Sequence, residues 1–313
     1  MPSHKTFSTD DIPDFSGKVI IVTGGNAGLG YESCLQFALH GSPRIFMGAR
    51  SREKAEAAIA SIKVQAPTAD ITHLPMDLSD LSSVKQAAET FLATSTRLDI
   101  LMNNAGIMGC PPALTKDGFE VQLGTNHVGH ALLTKLLLPI LQKTAQSAED
   151  GGKPSDVRIV NVSSAAHLMA PKQGLVLEAA LTPMSDYQCM VRYGQSKLAN
   201  IYFTQELAKR YPSIRSISLH PGVVKTNLLQ SGIKESYSWV PEVVWSLVAR
   251  LTSVSRANGT LNQLWASCSK DAKSGEYYDP VGKVGKKAAV VKDESKAAML
   301  WGWTEEQLSK RGF

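Results

Sequence analysis

The pentapeptide YGQSK, residues 193–197, places a phenol and an ammonium four positions apart. On a helix, positions i and i+4 share one face, so Tyr193 and Lys197 would lie side by side. A free tyrosine titrates near about 10, and a neighbouring positive charge lowers its pKa. The pair could therefore exchange a proton near neutral pH. Because Tyr-x-x-x-Lys also arises by chance, the rest of the chain has to show whether this pair is catalytic.

A glycine-rich turn, TGGNAGLG at residues 23–30, lies between an apolar strand pattern and a helical pattern. Backbone without Cβ atoms can approach a pyrophosphate closely, and the first N–H groups of a helix bind anions. The strand before it and the helix after it favour a dinucleotide-binding turn over ordinary turn glycines. The predicted cofactor-binding residues of this turn are Gly24, Asn26, Gly28, Leu29 and Gly30.

The end of the second predicted strand, GARSR, bears on the choice of nicotinamide cofactor. NAD sites usually carry a carboxylate there, whereas the 2′-phosphate of NADP needs a positive charge. Ala49 stands where the acid would be and Arg50 follows it. The pattern favours NADP(H), and the alternative is a solvated arginine at a helix start.

From Lys18 onward, short apolar runs alternate with longer segments of helical period. This rhythm predicts a single α/β domain over residues 1–313, a Rossmann-type doubly wound parallel sheet. The predicted strands are KVIIVTGG, RIFMGA, THLPMD, LDILMNNAG, DVRIVNVSS and SIRSISLHPG. Among the predicted helices, a long apolar one spans about residues 117–142 and another about residues 187–210.

Two excursions, residues 165–190 and 223–256, interrupt this rhythm, and residues 1–15 form an N-terminal extension. Both excursions leave the predicted sheet at the carboxyl ends of strands, where open α/β sheets bind ligands. Flexible thioethers and aromatic rings are typical of adaptable apolar pockets. We therefore expect a bulky apolar substrate, although these side chains could instead pack the excursions against the sheet. They are Met169, Met184, Met190, Trp239 and Trp245.

Composition argues against several other classes of protein. Apolar residues make up 43% and charged residues 19%, and 33 Lys and Arg stand against 28 Asp and Glu. Basic residues are scattered except around residues 283–287, so nucleic-acid binding is not expected. No run of about 18 apolar residues occurs, so no membrane span is expected. The four cysteines are isolated, which predicts a reducing, cytoplasmic location and no metal site.

His127 and His130 are expected to pack within a helix, and His220 to end a strand.

Together, the G-x-x-x-G-x-G spacing, NNAG at residues 103–106 and YGQSK resemble the short-chain dehydrogenase/reductase superfamily over about residues 15–310. The resemblance implies four catalytic residues: Asn126, Ser164, Tyr193 and Lys197. Ser164 would hold the substrate oxygen, with Ser163 as the alternative. Asn126 would perturb its helix and hold a water linked to Lys197.

The resemblance also implies further cofactor contacts. Tyr193 and Lys197 would bind the cofactor as well, and Asp77, after the third strand, would contact adenine, with Leu78 beside it as a further cofactor contact. The other implied contacts follow the fourth and sixth strands. These residues are Asp77, Leu78, Asn104, Ala105, Gly106, Pro221, Gly222, Val223 and Thr226.

The longer linker at residues 165–190, HPGVVKTNL, and SGEYYDP followed by LWGWTEEQL are similar to the retinol-dehydrogenase-like and WW-domain-oxidoreductase-like branch. The implied activity is NADPH-dependent reduction of a carbonyl on a bulky apolar substrate, with Tyr193 as proton donor. Two alternatives stay open: a nucleotide-retaining epimerase or dehydratase, and a non-catalytic NADP(H)-sensing regulator. The long apolar helix and the tyrosine helix could also pair in a homodimer.

Overall fold

The computed structural model describes residues 6–151, 155–222 and 255–313. Its strands are β1 Val19–Thr23, β2 Arg44–Ala49, β3 Asp70–Pro75, β4 Ile100–Asn103, β5 Arg158–Val162, β6 Arg215–Leu219 and β7 Tyr277–Tyr278. In the described residues they form one seven-stranded sheet in the order β3-β2-β1-β4-β5-β6-β7. Every neighbouring pair is parallel. The predicted α/β fold is therefore confirmed.

The helices lie on both faces of this sheet. They are α1 Gly28–Leu39, α2 Arg52–Gln65, α3 Leu81–Thr94, α4 Gly129–Asp150, α5 Cys189–Arg210, α6 Arg256–Cys268 and α7 Glu294–Ser309. A short turn, Val121–Leu123, and a π-helical segment, Gly124–Val128, lead directly into α4.

Alternation along β1 shows how the strand serves two cores. Ile20 and Val22 belong to one buried cluster with side chains of α1, α2 and α6. Val19 and Ile21 belong to another, with side chains of α3, α4 and α5. Successive strand residues point to opposite faces, so a strand covered on both sides reads as a continuous apolar run. The chain order reverses between β1 and β4, and this opens a crevice at their carboxyl ends.

Both predicted boundaries of the long apolar helix were wrong. The helix expected from about residue 117 begins at Val121, because the Asp117 carboxylate instead accepts a hydrogen bond from the N–H of Leu81 at 2.9 Å. The Glu120 carboxylate caps the true start by accepting from the N–H of Leu123 at 2.7 Å. Beyond residue 142 the helix continues to Asp150.

The first excursion, residues 165–190, folds as two 3₁₀ turns, Ala165–Met169 and Ala179–Leu181, separated by irregular chain. Of the second excursion, residues 223–254 lie outside the described residues, so Val223, Thr226, Trp239 and Trp245 do as well. In the part of the chain that the structure describes, no helix has the length and apolar character needed to cross a membrane.

Helix α7 packs across α4 and α5. The Trp301 ring stacks on Phe203 with centroids 5.7 Å apart and planes 19° apart. Lys135 of α4 forms an ion pair with Glu305 at 2.9 Å. These contacts, together with the packing of α4 against α3, give an intrachain reason for the apolar character of α4.

Candidate active site

Tyr193 and Lys197 lie on one face of α5, as the sequence predicts. The Lys197 Nζ atom is 5.6 Å from the centre of the Tyr193 ring. It also donates a hydrogen bond to the carbonyl oxygen of Val162, the last residue of β5, at 2.9 Å. Both side chains are buried, 6% and 3% exposed. The pair is thus fixed at the carboxyl end of the sheet.

The expected lowering of the tyrosine pKa is not what the structure shows. Burial raises the pKa of Tyr193 to about 12, against the opposing effect of a hydrogen bond with the Ser164 side chain. Burial also lowers the pKa of Lys197 to about 8. Desolvation disfavours both charged forms, and this outweighs the attraction between phenolate and ammonium that the spacing suggested. Near neutral pH, Tyr193 is therefore a neutral phenol that can donate a proton.

Ser164, not Ser163, presents its hydroxyl to Tyr193. Ser164 is half-buried, caps the 3₁₀ turn Ala165–Met169 and accepts a hydrogen bond from the N–H of Ala166 at 3.1 Å. Its hydroxyl hydrogen is left for Tyr193 or a substrate oxygen. Ser163 is 2% exposed and donates to the carbonyl oxygen of Lys197 at 2.7 Å, so its hydroxyl positions α5 instead.

Asn126 lies in the middle of the π-helical segment, which agrees with the implied perturbation of the helix. Its amide oxygen accepts from the N–H of Ile107 at 2.7 Å, and its amide nitrogen donates to the Ile107 carbonyl at 2.9 Å. The same nitrogen donates to the Ser196 hydroxyl of α5 at 2.9 Å. Asn126 thus holds the loop after β4 against the tyrosine helix, and its water link to Lys197 stays a prediction.

The glycine turn provides the cradle that a dinucleotide needs. Gly24 and Gly28 have φ values of +66° and +57°, which favour glycine. A Cβ on Gly30 would lie 2.6 Å from the Asn104 amide nitrogen, so side chains there are excluded. Ala27 precedes α1 without a side-chain cap, so the first N–H groups of α1 are available to an anion. These residues fit a bound pyrophosphate.

A polar network through Thr23 and His130, which no sequence motif indicates, joins this turn to Asn126. The Thr23 hydroxyl accepts hydrogen bonds from the N–H groups of Asn104 and Ala105, at 3.0 and 2.9 Å, and faces His130 Nε2 at 2.9 Å. His130 Nδ1 lies 3.0 Å from the Asn126 carbonyl oxygen, which only accepts. His130 must therefore be neutral with its proton on Nδ1, and burial lowers its pKa to about 4. Thr23 and His130 could have been found only through their contacts, because a helix-face histidine has no distinctive spacing.

The remaining predicted residues take these places. Arg50 is exposed directly after β2, and Asp77 is half-buried with its carboxylate held by Ser79, at 2.9 Å from the N–H and 2.7 Å from the hydroxyl. Leu78 is buried, and its contact with the cofactor, like that of Asp77 with adenine, stays a prediction. A Cβ on Gly106 would lie 3.3 Å from Lys197 Nζ, which puts the loop after β4 beside Lys197.

Asn26, Leu29, Pro221 and Gly222 lie at the carboxyl ends of β1 and β6, as expected. Leu29 is the second residue of α1, and Gly222 has φ +84°. His220 follows β6 directly, as expected. His127 and His130 are both buried in the helical segment before and within α4. Within the described ranges, no group of three or more His, Cys, Asp or Glu side chains could hold a metal ion.

Comparison with known proteins places the chain in a family. Residues 18–236 match the family model described as short chain dehydrogenase. The chain is 41% identical to short-chain dehydrogenase/reductase drtF of Aspergillus calidoustus, covering 96% of both proteins. It is 36% identical to human retinol dehydrogenase 12, over 84% of this chain and 77% of that protein.

The chain is also similar in fold to solved structures. An uncharacterised protein from Mycobacterium paratuberculosis is similar with a TM-score of 0.73 and 31% identity, covering 96% of this chain and 97% of that one. The NADPH-bound carbonyl reductase from chicken fatty liver is similar with a TM-score of 0.63 and 26% identity, over 87% and 100% of the two chains. The chain belongs to the short-chain dehydrogenase/reductase family, and its activity is that of an oxidoreductase using NAD(P)(H).

Proposed function

We propose that the chain is an NADPH-dependent ketoreductase that acts on a bulky apolar carbonyl compound. One observation carries this proposal: the Ser164 hydroxyl, the Tyr193 phenol and the Lys197 ammonium meet at the carboxyl end of the sheet, on the same edge as the glycine turn. This is the arrangement that a hydride transfer coupled to a proton transfer requires.

The chain's own residues have separate roles in this reaction. When bound, NADPH supplies the hydride that adds to the carbonyl carbon. The Ser164 hydroxyl donates a hydrogen bond to the carbonyl oxygen and stabilises the negative charge that develops there. Tyr193, a neutral phenol in its buried site, gives its proton to that oxygen. Lys197, held by the Val162 carbonyl, stabilises the phenolate that remains.

The substrate class is supported by the first excursion. Leu168, Met169 and Leu181 are exposed there by 47%, 44% and 39%, and Leu168 and Met169 belong to the 3₁₀ turn that Ser164 caps. Exposed apolar side chains close in the chain to the proposed catalytic serine, as Leu168 and Met169 are, favour an apolar ligand. Met184, by contrast, is 3% exposed and is a packing residue. A relative named retinol dehydrogenase 12 is consistent with a bulky apolar substrate.

The test of the reaction is NADPH oxidation with a panel of bulky ketones and aldehydes. We expect Tyr193→Phe to lower kcat by roughly a hundredfold or more, because the phenyl ring has no proton to give. Tyr211→Phe, at the end of the same helix, is the matched control and should retain wild-type activity. Equal activity of Tyr193→Phe and wild type would overturn the mechanism.

The same assay separates the two alternatives. A protein that retains its nucleotide through purification, yet consumes no NADPH with any carbonyl, would support an epimerase or dehydratase. Reversible nucleotide binding without any turnover would support a sensing regulator. Tyr193 and Lys197 of the YGQSK motif are both present and lie side by side, which favours an enzyme over a sensing regulator.

The preference for NADPH rests on Arg50. Its guanidinium is exposed after β2 beside Ala49, with no carboxylate at that position. We expect Arg50→Gln to raise the KM for NADPH by about tenfold, with little change for NADH, because a charge-assisted bond to the 2′-phosphate is lost. Arg44→Gln, at the opposite end of the same strand, is the control and should leave the NADPH to NADH ratio unchanged. A wild-type protein that prefers NADH would contradict the proposal.

Two further parts of the proposal concern the protein as a whole. A homodimer would use the face of α4, α5 and α7, where a groove of about 600 Å³ is lined in part by Leu138, Phe203 and Trp301. Light scattering of the full chain tests it, and a monomer would refute it. The wide separation of the four cysteines along the sequence supports a cytoplasmic location, which fractionation of the native cells would test.

A further inference from the structure

His167 occupies a place that the proposed reaction does not explain. It is the third residue after Ser164, within the 3₁₀ turn Ala165–Met169, and its side chain is fully buried. A buried imidazole is costly unless both ring nitrogens have partners. In this protein both of them do.

The two partners fix the protonation state of His167. Its Nδ1 atom lies 2.7 Å from the carbonyl oxygen of Ser164, which can only accept, so Nδ1 carries the proton. Its Nε2 atom accepts from the N–H of Ala288 at 3.2 Å. Only the neutral Nδ1-protonated ring serves both bonds. The Ser164 carbonyl also accepts from the backbone N–H of His167 at 3.1 Å, so the residue holds it twice.

Packing confines this turn from two sides. On one side, the His167 ring meets the buried Tyr277 of β7 edge to face, with centroids 4.9 Å apart. On the other side lies Gly194, the neighbour of Tyr193. A Cβ on Gly194 would lie 2.6 Å from the Ala166 carbonyl oxygen and 2.9 Å from the Ala170 nitrogen. The turn therefore lies directly on the tyrosine helix and is held there from behind by His167.

We infer that His167 is a positioning residue that fixes the Ser164 hydroxyl toward Tyr193 by holding the Ser164 carbonyl oxygen through its Nδ1–H group. This inference rests on the proposed ketoreductase activity. The Ala288 N–H, in the segment between β7 and α7, bonds the opposite ring nitrogen and so helps to orient the His167 ring. Displacement of a catalytic group by about 1 Å costs up to a hundredfold in rate.

Two substitutions of His167 each remove one of the two hydrogen bonds of its ring and keep the other. His167→Asn keeps a donor near the Nδ1 position and so preserves the bond to Ser164. His167→Gln keeps an acceptor near the Nε2 position and so preserves the bond to Ala288. With the full chain, NADPH and an accepted ketone, we expect His167→Gln to lower kcat by roughly tenfold to a hundredfold with a small change in KM for NADPH. We expect His167→Asn to stay within about threefold of wild type, since rescue by the serine-facing donor is what positioning requires.

Each variant loses one hydrogen bond, so a general loss of packing would affect both alike. NADPH binding followed by fluorescence gives the concentration of folded sites, to which each kcat is normalised. His40→Gln is the matched control, because His40 Nδ1 also lies against a carbonyl oxygen, that of Gln36, at 2.7 Å. It should not change kcat.

The outcomes distinguish failure of the His167 positioning role from failure of the proposed ketoreductase activity. Wild-type kcat in His167→Gln, or equal losses in both variants, would overturn the positioning role while the ketoreductase proposal stands. A wild-type protein that oxidises no NADPH with any carbonyl of the panel would overturn the proposed function, and the role of His167 with it.

Discussion

Burial is the main influence on the protonation states of Tyr193 and Lys197, the proposed catalytic pair. The i, i+4 spacing predicts the contact between Tyr193 and Lys197 correctly, because helix geometry fixes it. The spacing could not predict that the pKa of Tyr193 is raised instead of lowered, because desolvation depends on what surrounds α5. A neutral phenol can donate a proton. In the proposed reaction, Lys197 supplies the positive charge that stabilises the phenolate.

This arrangement predicts how the rate depends on pH. The pKa of Lys197 is lowered by burial to about 8, so the side chain is cationic below that pH and loses its charge above it. The pKa of Tyr193 is about 12, so the phenol stays protonated throughout. We therefore expect kcat for ketone reduction to fall as pH rises through about 8. A profile from pH 6 to 10 at saturating NADPH measures it.

The neighbouring histidines do not account for such a fall. The pKa of His130 is lowered to about 4 by burial, and burial also lowers the pKa of His220. Lys197→Arg is the control, since a guanidinium stays charged over the whole range. Its lower residual rate should show no inflection near pH 8. A wild-type profile that is flat through pH 8 would show that the Lys197 charge is not needed.

At the level of elements, the glycine turn and the loop after β4 form one unit. Gly30 of α1 lies so close to Gly24 and Asn104 that a Cβ would meet the Asn104 amide nitrogen at 2.6 Å and the Gly24 carbonyl carbon at 2.8 Å. Asn104 in turn donates to the Thr23 carbonyl at 2.8 Å. The shape of the cradle is thus set by contacts between elements that are distant in sequence.

Gly30→Ala is accordingly expected to raise the dissociation constant for NADPH by tenfold or more, about 1.4 kcal/mol or more, because backbone must move away from the added methyl group. Fluorescence titration with NADPH measures it. Gly302→Ala is the matched control, since Gly302 is exposed in α7 and nothing lies within 4 Å of an added Cβ. That change should leave NADPH binding as it is. Unchanged binding in Gly30→Ala would show that the turn does not hold the cofactor.

The sequence predicts six strands and most of the site because those elements carry strong local patterns. It misses β7, which is only Tyr277–Tyr278 and too short to show a period. It also misses α6, whose buried face carries polar side chains. There, Asn262 donates to the His220 carbonyl at 2.7 Å and Gln263 donates to the Ser33 hydroxyl at 2.6 Å. These hydrogen bonds join residues that are far apart in the sequence, so they are visible only in the fold.

At the scale of the whole molecule, α7 packs against the helices that carry the proposed catalytic residues. Its Trp301 stacks on Phe203 of the tyrosine helix, and the Arg210 guanidinium lies 4.6 Å from the centre of the Trp301 ring. Thr304 meets His127 Nε2 at 3.1 Å, next to the segment that holds Asn126. The helices that carry Tyr193 and Asn126 are therefore covered on their outer side by the chain's own C-terminal helix.

Trp301→Ala tests how far this covering stabilises the fold. Truncation of a large aromatic side chain in a core costs about 3–5 kcal/mol, and Trp301 is only half-buried, so we expect the free energy of unfolding to fall by about 2 kcal/mol. Urea denaturation followed by circular dichroism measures it. Met299→Ala is the control, because Met299 is 44% exposed on the same helix and should change the free energy by less than about 0.5 kcal/mol. If Trp301→Ala unfolds at the same urea concentration as Met299→Ala, α7 does not stabilise the catalytic layer. The apolar face of α4 and α5 would then again need a partner subunit to explain it.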